Sequence, residues 1–170
     1  MKLIKLTALP ILIFASLWAL SSCEPDAEMK KTTDYQKLGI VMSGANETPA
    51  TASPAIGKMD VFYSKETRIL TYTVTWSGLT DSVLLMHIHG LAPLGFPAGV
   101  VQNIVTPSNG IYPQKTSGKF TYAKTGTITN NVLVDGSVIK EADLLNGMYY
   151  MNIHTNTYPN GEIRGQIVFQ

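Results

Sequence analysis

From residue 37 onward, apolar and polar residues alternate with a period of two. Leu70, Tyr72, Val74 and Trp76 share one parity in "RILTYTVTWSGL", as do Met59, Val61 and Tyr63 in "GKMDVFYS". "KLGIVMSG" places Leu38, Ile40 and Met42 together, and "SVLLMHIHG" places Leu84, Met86 and Ile88 together. "GKFTYAKTGTI", "GMYYMNIHT" and "GEIRGQIVF" follow the same habit. Runs of this kind, bounded by Gly, Pro, Asn and Ser, are strands joined by turns. Their number predicts an all-β fold, an antiparallel Greek-key sandwich or barrel. One segment departs from the pattern. "SVIKEADLLN" (137–146) reads as a short helix near 138–146, with Ser137 as a cap and Gly147 beyond its end. Residues 43–57 and 90–114 are rich in Pro and Gly and read as long loops.

The same parity sorts the polar residues of the last strands. His87 and His89 share a face opposite Met86 and Ile88, and Asn152 and His154 share one opposite Met151, Ile153 and Thr155. Glu162, Arg164 and Gln166 lie opposite Ile163, Ile167 and Phe169. Burying polar groups without partners costs several kcal/mol. The apolar sets are therefore expected on the core and the polar sets on outward or mouth-facing sides. The last two strands are expected to form a hairpin. A two-residue turn at Asn160-Gly161 would pair residues whose numbers sum to 321 and set His154 against Ile167. A one-residue slip flips every side chain, so an even sum is required and the turn must be longer or bulged. Sums of 316, 318 and 320 all keep the faces. A sum of 316 sets Asn152 opposite Arg164 and His154 opposite Glu162.

The amino terminus adds a destination. Lys2 and Lys5 precede an apolar run from Leu6 to Leu20 and the small residues Ser21 and Ser22. This reads as a secretory signal peptide over 1–22, too short to span a bilayer. It ends in Leu20-Ser21-Ser22-Cys23, a pattern that resembles the bacterial lipobox. Cys23 is the only cysteine, which rules out an intramolecular disulfide and marks it as the lipid attachment point. Residues 23–36 then read as lipidated cysteine and tether, and 37–170 as one domain. The expected location is exported and anchored to a bacterial membrane, the outer membrane on its periplasmic or surface face. Loss of Lys2 and Lys5 leaves 11 Lys plus Arg against 12 Asp plus Glu, a net charge of −1. No basic field exists to hold nucleic acid.

Two histidines at i and i+2, with a third from a neighbouring strand, suit a mononuclear zinc or copper site on His87, His89 and His154, with Glu162 as a fourth ligand. The "HIH" spacing resembles the copper strand of copper-zinc superoxide dismutases. With three histidines in the whole chain, the dinuclear site of that family cannot be built. The plainer reading makes His87, His89, Asn152, His154, Glu162 and Arg164 a hydrogen-bonded network that closes one end of the fold. Asn152 is then expected to hold a loop backbone and Glu47 to bond within its loop. Tyr149 and Tyr150 are expected to pack on the sheet. No nucleophile elbow, phosphate-binding glycine motif or glycosidase carboxylate pair is visible, and no catalytic residue is assigned.

"SGANETPA…SPAIGKMDVFY", "LTYTVTWSGLTDS", "MHIHGLAPLGFPAGVV" and "GMYYMNIHTNTYPNGEIRGQI", in this order, resemble the CHRD domain, named for chordin. The likeness covers roughly residues 37–170. It implies an immunoglobulin-like or superoxide-dismutase-like Greek-key fold and carries no established reaction. The favoured reading is a non-enzymatic binding or structural module of the cell envelope with no required cofactor. Loops 44–57 and 90–117 would be open to a protein or glycan ligand. The alternative is a copper or zinc protein using the three histidines for metal handling or redox.

Overall fold

The structure is a computed structural model that describes residues 34–105 and 124–169. The expected signal peptide, Cys23 and most of the expected tether lie outside the described residues. Eight strands form one antiparallel sheet: β1 (Asp34–Ser43), β2 (Ile56–Ser64), β3 (Ile69–Ser77), β4 (Val83–Gly90), β5 (Val100–Val105), β6 (Gly126–Leu133), β7 (Tyr149–Thr155) and β8 (Ile163–Ile167). Their order is β5-β4-β7-β8-β1-β2-β3-β6. The chain crosses from one half of the sheet to the other between β3 and β4, β5 and β6, and β6 and β7. Both halves contribute to one core that includes Met59, Tyr72 and Val74 together with Met86, Ile88, Met151 and Ile153. The sheet is thus rolled into a barrel-like form with one seam. The all-β expectation holds.

The parity reading succeeds in β2 and β3, whose inward residues are all but inaccessible, and it slips in two places. In β1 a bulge between Lys37 and Ile40, with Gly39 at φ 73°, breaks the alternation. Leu38 therefore faces solvent while Ile40 and Met42 stay in the core. In β4 a bulge between Val83 and Leu85 moves Leu84 off the core and puts Val83 into it. An extra residue in one strand reverses every side chain before it. β1 begins at Asp34, inside the stretch read as tether, with Tyr35 paired to Tyr63.

The 90–114 segment is not all loop, because Val100–Val105 forms β5 against β4. Its β-branched run is flanked by enough Pro and Gly to hide it. The helix α1 is confined to Glu141–Leu145. Its cap is Lys140, while Ser137 Oγ accepts from Ile139 N at 3.1 Å. Tyr149, on the core side of β7, accepts from Lys140 N at 3.0 Å and holds this helix to the sheet.

β7 and β8 pair in the register with Asn152 opposite Arg164 and Tyr150 opposite Gln166, a sum of 316. The connection is longer than a two-residue turn: Glu162 N donates to Ile153 O at 2.7 Å, and Gly161 N to Tyr158 O at 3.1 Å. On the core face Gly165 leaves room for Met42, whose Cγ would lie 2.7 Å from a Cβ at that position. The hairpin thereby seats β1 against β8, where Ser43 pairs with Arg164.

Candidate metal centre and the buried polar face

The central strands β4, β7 and β8 bring the polar residues to one side, as parity requires. That side is not open to solvent. His87, His89, Asn152, His154, Arg164 and Gln166 are each at most 8% accessible, and Glu162 is fully buried. The expectation of an outward or mouth-facing set is corrected here. Loops close over the sheet and supply the partners that make burial tolerable. His89 Nδ1 bonds Ala98 O at 2.9 Å, and His154 Nδ1 bonds Pro159 O at 3.0 Å. Gln166 Nε2 donates to Ala92 O and Gly147 O at 2.9 and 2.6 Å. Asn46 Nδ2 donates to Arg164 O at 3.2 Å.

His87, on β4, has its Nδ1 3.2 Å from Nε2 of His154 on β7. One nitrogen of each of His87, His89 and His154 lies within 4.8 Å of the others. A carbonyl only accepts, so Ala98 and Pro159 fix Nδ1 of His89 and His154 as N–H and leave each Nε2 as an acceptor, that of His154 facing His87 Nδ1. His89 Nε2 is buried and has no hydrogen-bond partner. Burial, reinforced by the neighbouring His154 and His89, pushes His87 down to about 4. Burial also lowers His89 and His154, each partly offset by its carbonyl. All three are neutral at pH 7, the form that binds a metal. A tetrahedral zinc with bonds of about 2.0–2.1 Å sets its ligands about 3.3–3.4 Å apart, close to the His87–His154 spacing. With the third imidazole within 4.8 Å, the cluster could hold one transition-metal ion.

The remaining polar residues divide into two groups. Glu162 accepts from Ser53 Oγ (2.6 Å), Thr80 N (2.8 Å), Thr80 Oγ1 (2.9 Å) and Thr155 Oγ1 (2.6 Å). Four donors occupy its two oxygens, so it is neither a fourth ligand nor the ion-pair partner of Arg164. Arg164 instead lays its guanidinium 3.4 Å from the centre of the Tyr150 ring and donates to Gln166 Oε1 at 3.1 Å. Tyr150 stacks on His89 with ring centres 4.8 Å apart and planes within 2°. Tyr150 pairs with His89 on one side of β7 and with Gln166 on the other. The imidazole and guanidinium consequently take opposite faces of the phenol ring. Tyr150 shares the parity of Asn152 and His154, the signal that could have placed it in this set.

Glu47 reaches the same face from the loop after β1 and is 8% accessible. Its Oε2 accepts from Thr48 N at 3.4 Å, while its Oε1 has no partner. Burial raises its pKa, offset by the Asn152 side chain, the Thr48 N–H and the charge of Arg164. Asn152 does not hold a loop backbone as expected. Its amide stands beside both Glu47 and His89, with Oδ1 unpartnered. Arg164 Nε is unpartnered too.

These observations define a class: an all-β barrel whose polar sheet face is buried under loops around a three-imidazole cluster. The model of the CHRD domain matches residues 38–167, and the chain belongs to that family. No curated protein and no solved structure shows significant similarity to it.

Proposed function

We propose that the chain is a lipid-anchored, exported CHRD module that acts as a non-enzymatic binding protein, and that its ligand is one copper or zinc ion held by His87, His89 and His154. The observation that carries this reading is the mutual approach of three neutral imidazole nitrogens within 4.8 Å. Two of those rings have their tautomer set by carbonyls of loops that cover the site. Three nitrogen ligands and an open position suit copper or zinc. His89 Nε2 stands beside the Asn152 side chain without a well-formed hydrogen bond, which leaves it able to take a ligand. An ion bound here would be held by one nitrogen of each ring, and each ring would keep its proton on its other nitrogen. The lipid anchor rests on Cys23 and the segment before it, and it places the module at the envelope.

Elemental analysis of protein purified without chelator tests the reading. About one copper or zinc per chain is expected, and none in a His89→Ala variant that still folds. Protein that carries neither metal, and fails to take up either at micromolar concentration, would end this proposal and leave the loops as the place to look for a ligand.

A further inference from the structure

The loop between β4 and β5 reaches the histidine cluster through Ala98 and leaves its larger side chains exposed. Leu91, Leu94, Phe96 and Val100 are 55%, 67%, 62% and 47% accessible. Isolated exposed leucines are ordinary, but three large apolar side chains within six residues of one loop, with Val100 exposed at the start of β5 beside them, are not. The run is also free of charge: from Ser82 to Gln114 the chain contains no Asp, Glu, Lys or Arg. The loop has a firm base, since Gly90 N donates to Gly99 O at 3.1 Å and Ala92 N to Met148 O at 2.9 Å. Its tip is therefore held out from the barrel by a defined frame.

The position of this loop is informative. It leaves β4 at Gly90, which pairs with Tyr149, and Tyr149 pairs with Ile167. Phe169, two residues beyond Ile167, packs on Tyr35 with ring centres 5.8 Å apart. Tyr35 is the second residue of β1, so the chain enters the barrel at the end that bears the apolar loop. Between Cys23 and Asp34 lie ten residues, which reach at most about 35 Å when fully extended. An acyl chain on Cys23 would hold that end of the barrel near a bilayer.

We propose that residues 91–100 form a membrane-docking loop, with Leu91, Leu94 and Phe96 entering the headgroup region of the bilayer to which the protein is anchored. The partner is a lipid surface, and the contact is apolar. The nearby β2–β3 turn carries Lys65 and Arg68 but also Glu66, so the end has no dominant sign. Docking would orient the barrel with the β7–β8 connection (156–162) pointing away from the membrane. This inference rests on lipidation of Cys23 for the nearness of the bilayer, and not on the metal reading.

The test uses the full acylated chain in vesicles of phosphatidylethanolamine and phosphatidylglycerol. An environment-sensitive fluorophore is attached in a Leu94→Cys variant and, as a control, in a Thr157→Cys variant. Mass analysis of the amino-terminal peptide first establishes whether Cys23 is acylated, which separates failure of the anchor from failure of the loop. The label at 94 is expected to shift to the blue and to be quenched several-fold by lipids with a shallow spin label, at 50 mM and 500 mM salt alike. The label at 157 should stay as in water. A Leu91→Ser, Phe96→Ser double variant should lose most of the quenching while keeping its melting temperature. A water-like label at 94 in acylated, vesicle-bound protein would overturn the proposal. So would a blue shift that appears without lipid and grows with protein concentration, because the loop would then be covered by a second copy.

Discussion

Two buried polar clusters lie on the same face of β7 and β8 and are built to different standards. Around Glu162 both oxygens are occupied by four hydroxyl and amide donors from three residues. Around His89, Asn152, Arg164 and Glu47 four buried polar atoms have no partner. Burial is as deep in one as in the other. A fully satisfied carboxylate joins the loops to the hairpin and has nothing left to offer a ligand. An unsatisfied cluster keeps its bonding capacity, and such capacity in a folded protein calls for an explanation. The comparison gives Glu162 a structural role and leaves the histidine cluster with capacity for a ligand, although both motifs look alike in the sequence.

The largest expected effect tests the structural half. Glu162→Ala removes the shared acceptor of Ser53, Thr80 and the buried Thr155 and is expected to cost about 2–4 kcal/mol. Urea unfolding measures it, and a loss below about 1 kcal/mol would erase the distinction. The binding half responds to acid. His87 titrates at about 4 in the fold against about 6.5 in the unfolded chain, so between these values the unfolded chain holds the extra proton. Stability is therefore complete above about pH 6.5 and is lost as the pH falls toward 4, by roughly 3 kcal/mol. Glu47, whose pKa is raised, offsets part of this by protonating more readily in the fold. Chelator-treated protein unfolded at pH 7 and pH 4 should show the loss, to which the lowered His89 and His154 add in the same direction, and His87→Gln should make it smaller. An unchanged slope in that variant would locate the sensitive proton elsewhere.

Smaller effects sharpen the boundary between the clusters. Gly161 sits at φ 124°, and a Cβ there would run into Glu47 Oε1 and come within 2.8 Å of Asn152 Nδ2. Gly161→Ala is expected to cost about 2 kcal/mol and to weaken metal uptake by displacing Asn152. Equal metal affinity in this variant would detach Asn152 from the imidazoles. Glu47→Gln should be the mildest change, within about 1 kcal/mol at pH 6, because Oε1 has no partner to lose. A much larger loss would mean that the carboxylate is ionised and acts as the counter-charge of Arg164.

Much of this molecule was legible in its residues. The alternation in β2, β3, β7 and β8 identified the core, and the need to keep His154 off the apolar face excluded the short turn at Asn160-Gly161. Leu38 and Leu84 misled because a bulge shifts parity without changing composition. The apolar run at 100–105 hid between prolines and glycines. The set of polar residues was found, but not its partners. Thr80 and Ser53 are distant in sequence from Glu162, and Ala98 and Pro159 act through carbonyls, which carry no side-chain signature.

Side-chain parity is a property of a strand alone, so the sequence by itself determined which residues share a face and that His87, His89 and His154 belong together. Whether that face is wet or dry depends on where the loops go. Loop paths are set by long-range bonds, such as Thr51 Oγ1 to Glu162 O at 2.9 Å, that no local pattern encodes. Only the tertiary structure decided that the polar face is buried, that Glu162 is satisfied, and that the histidines are left with a lone pair to give.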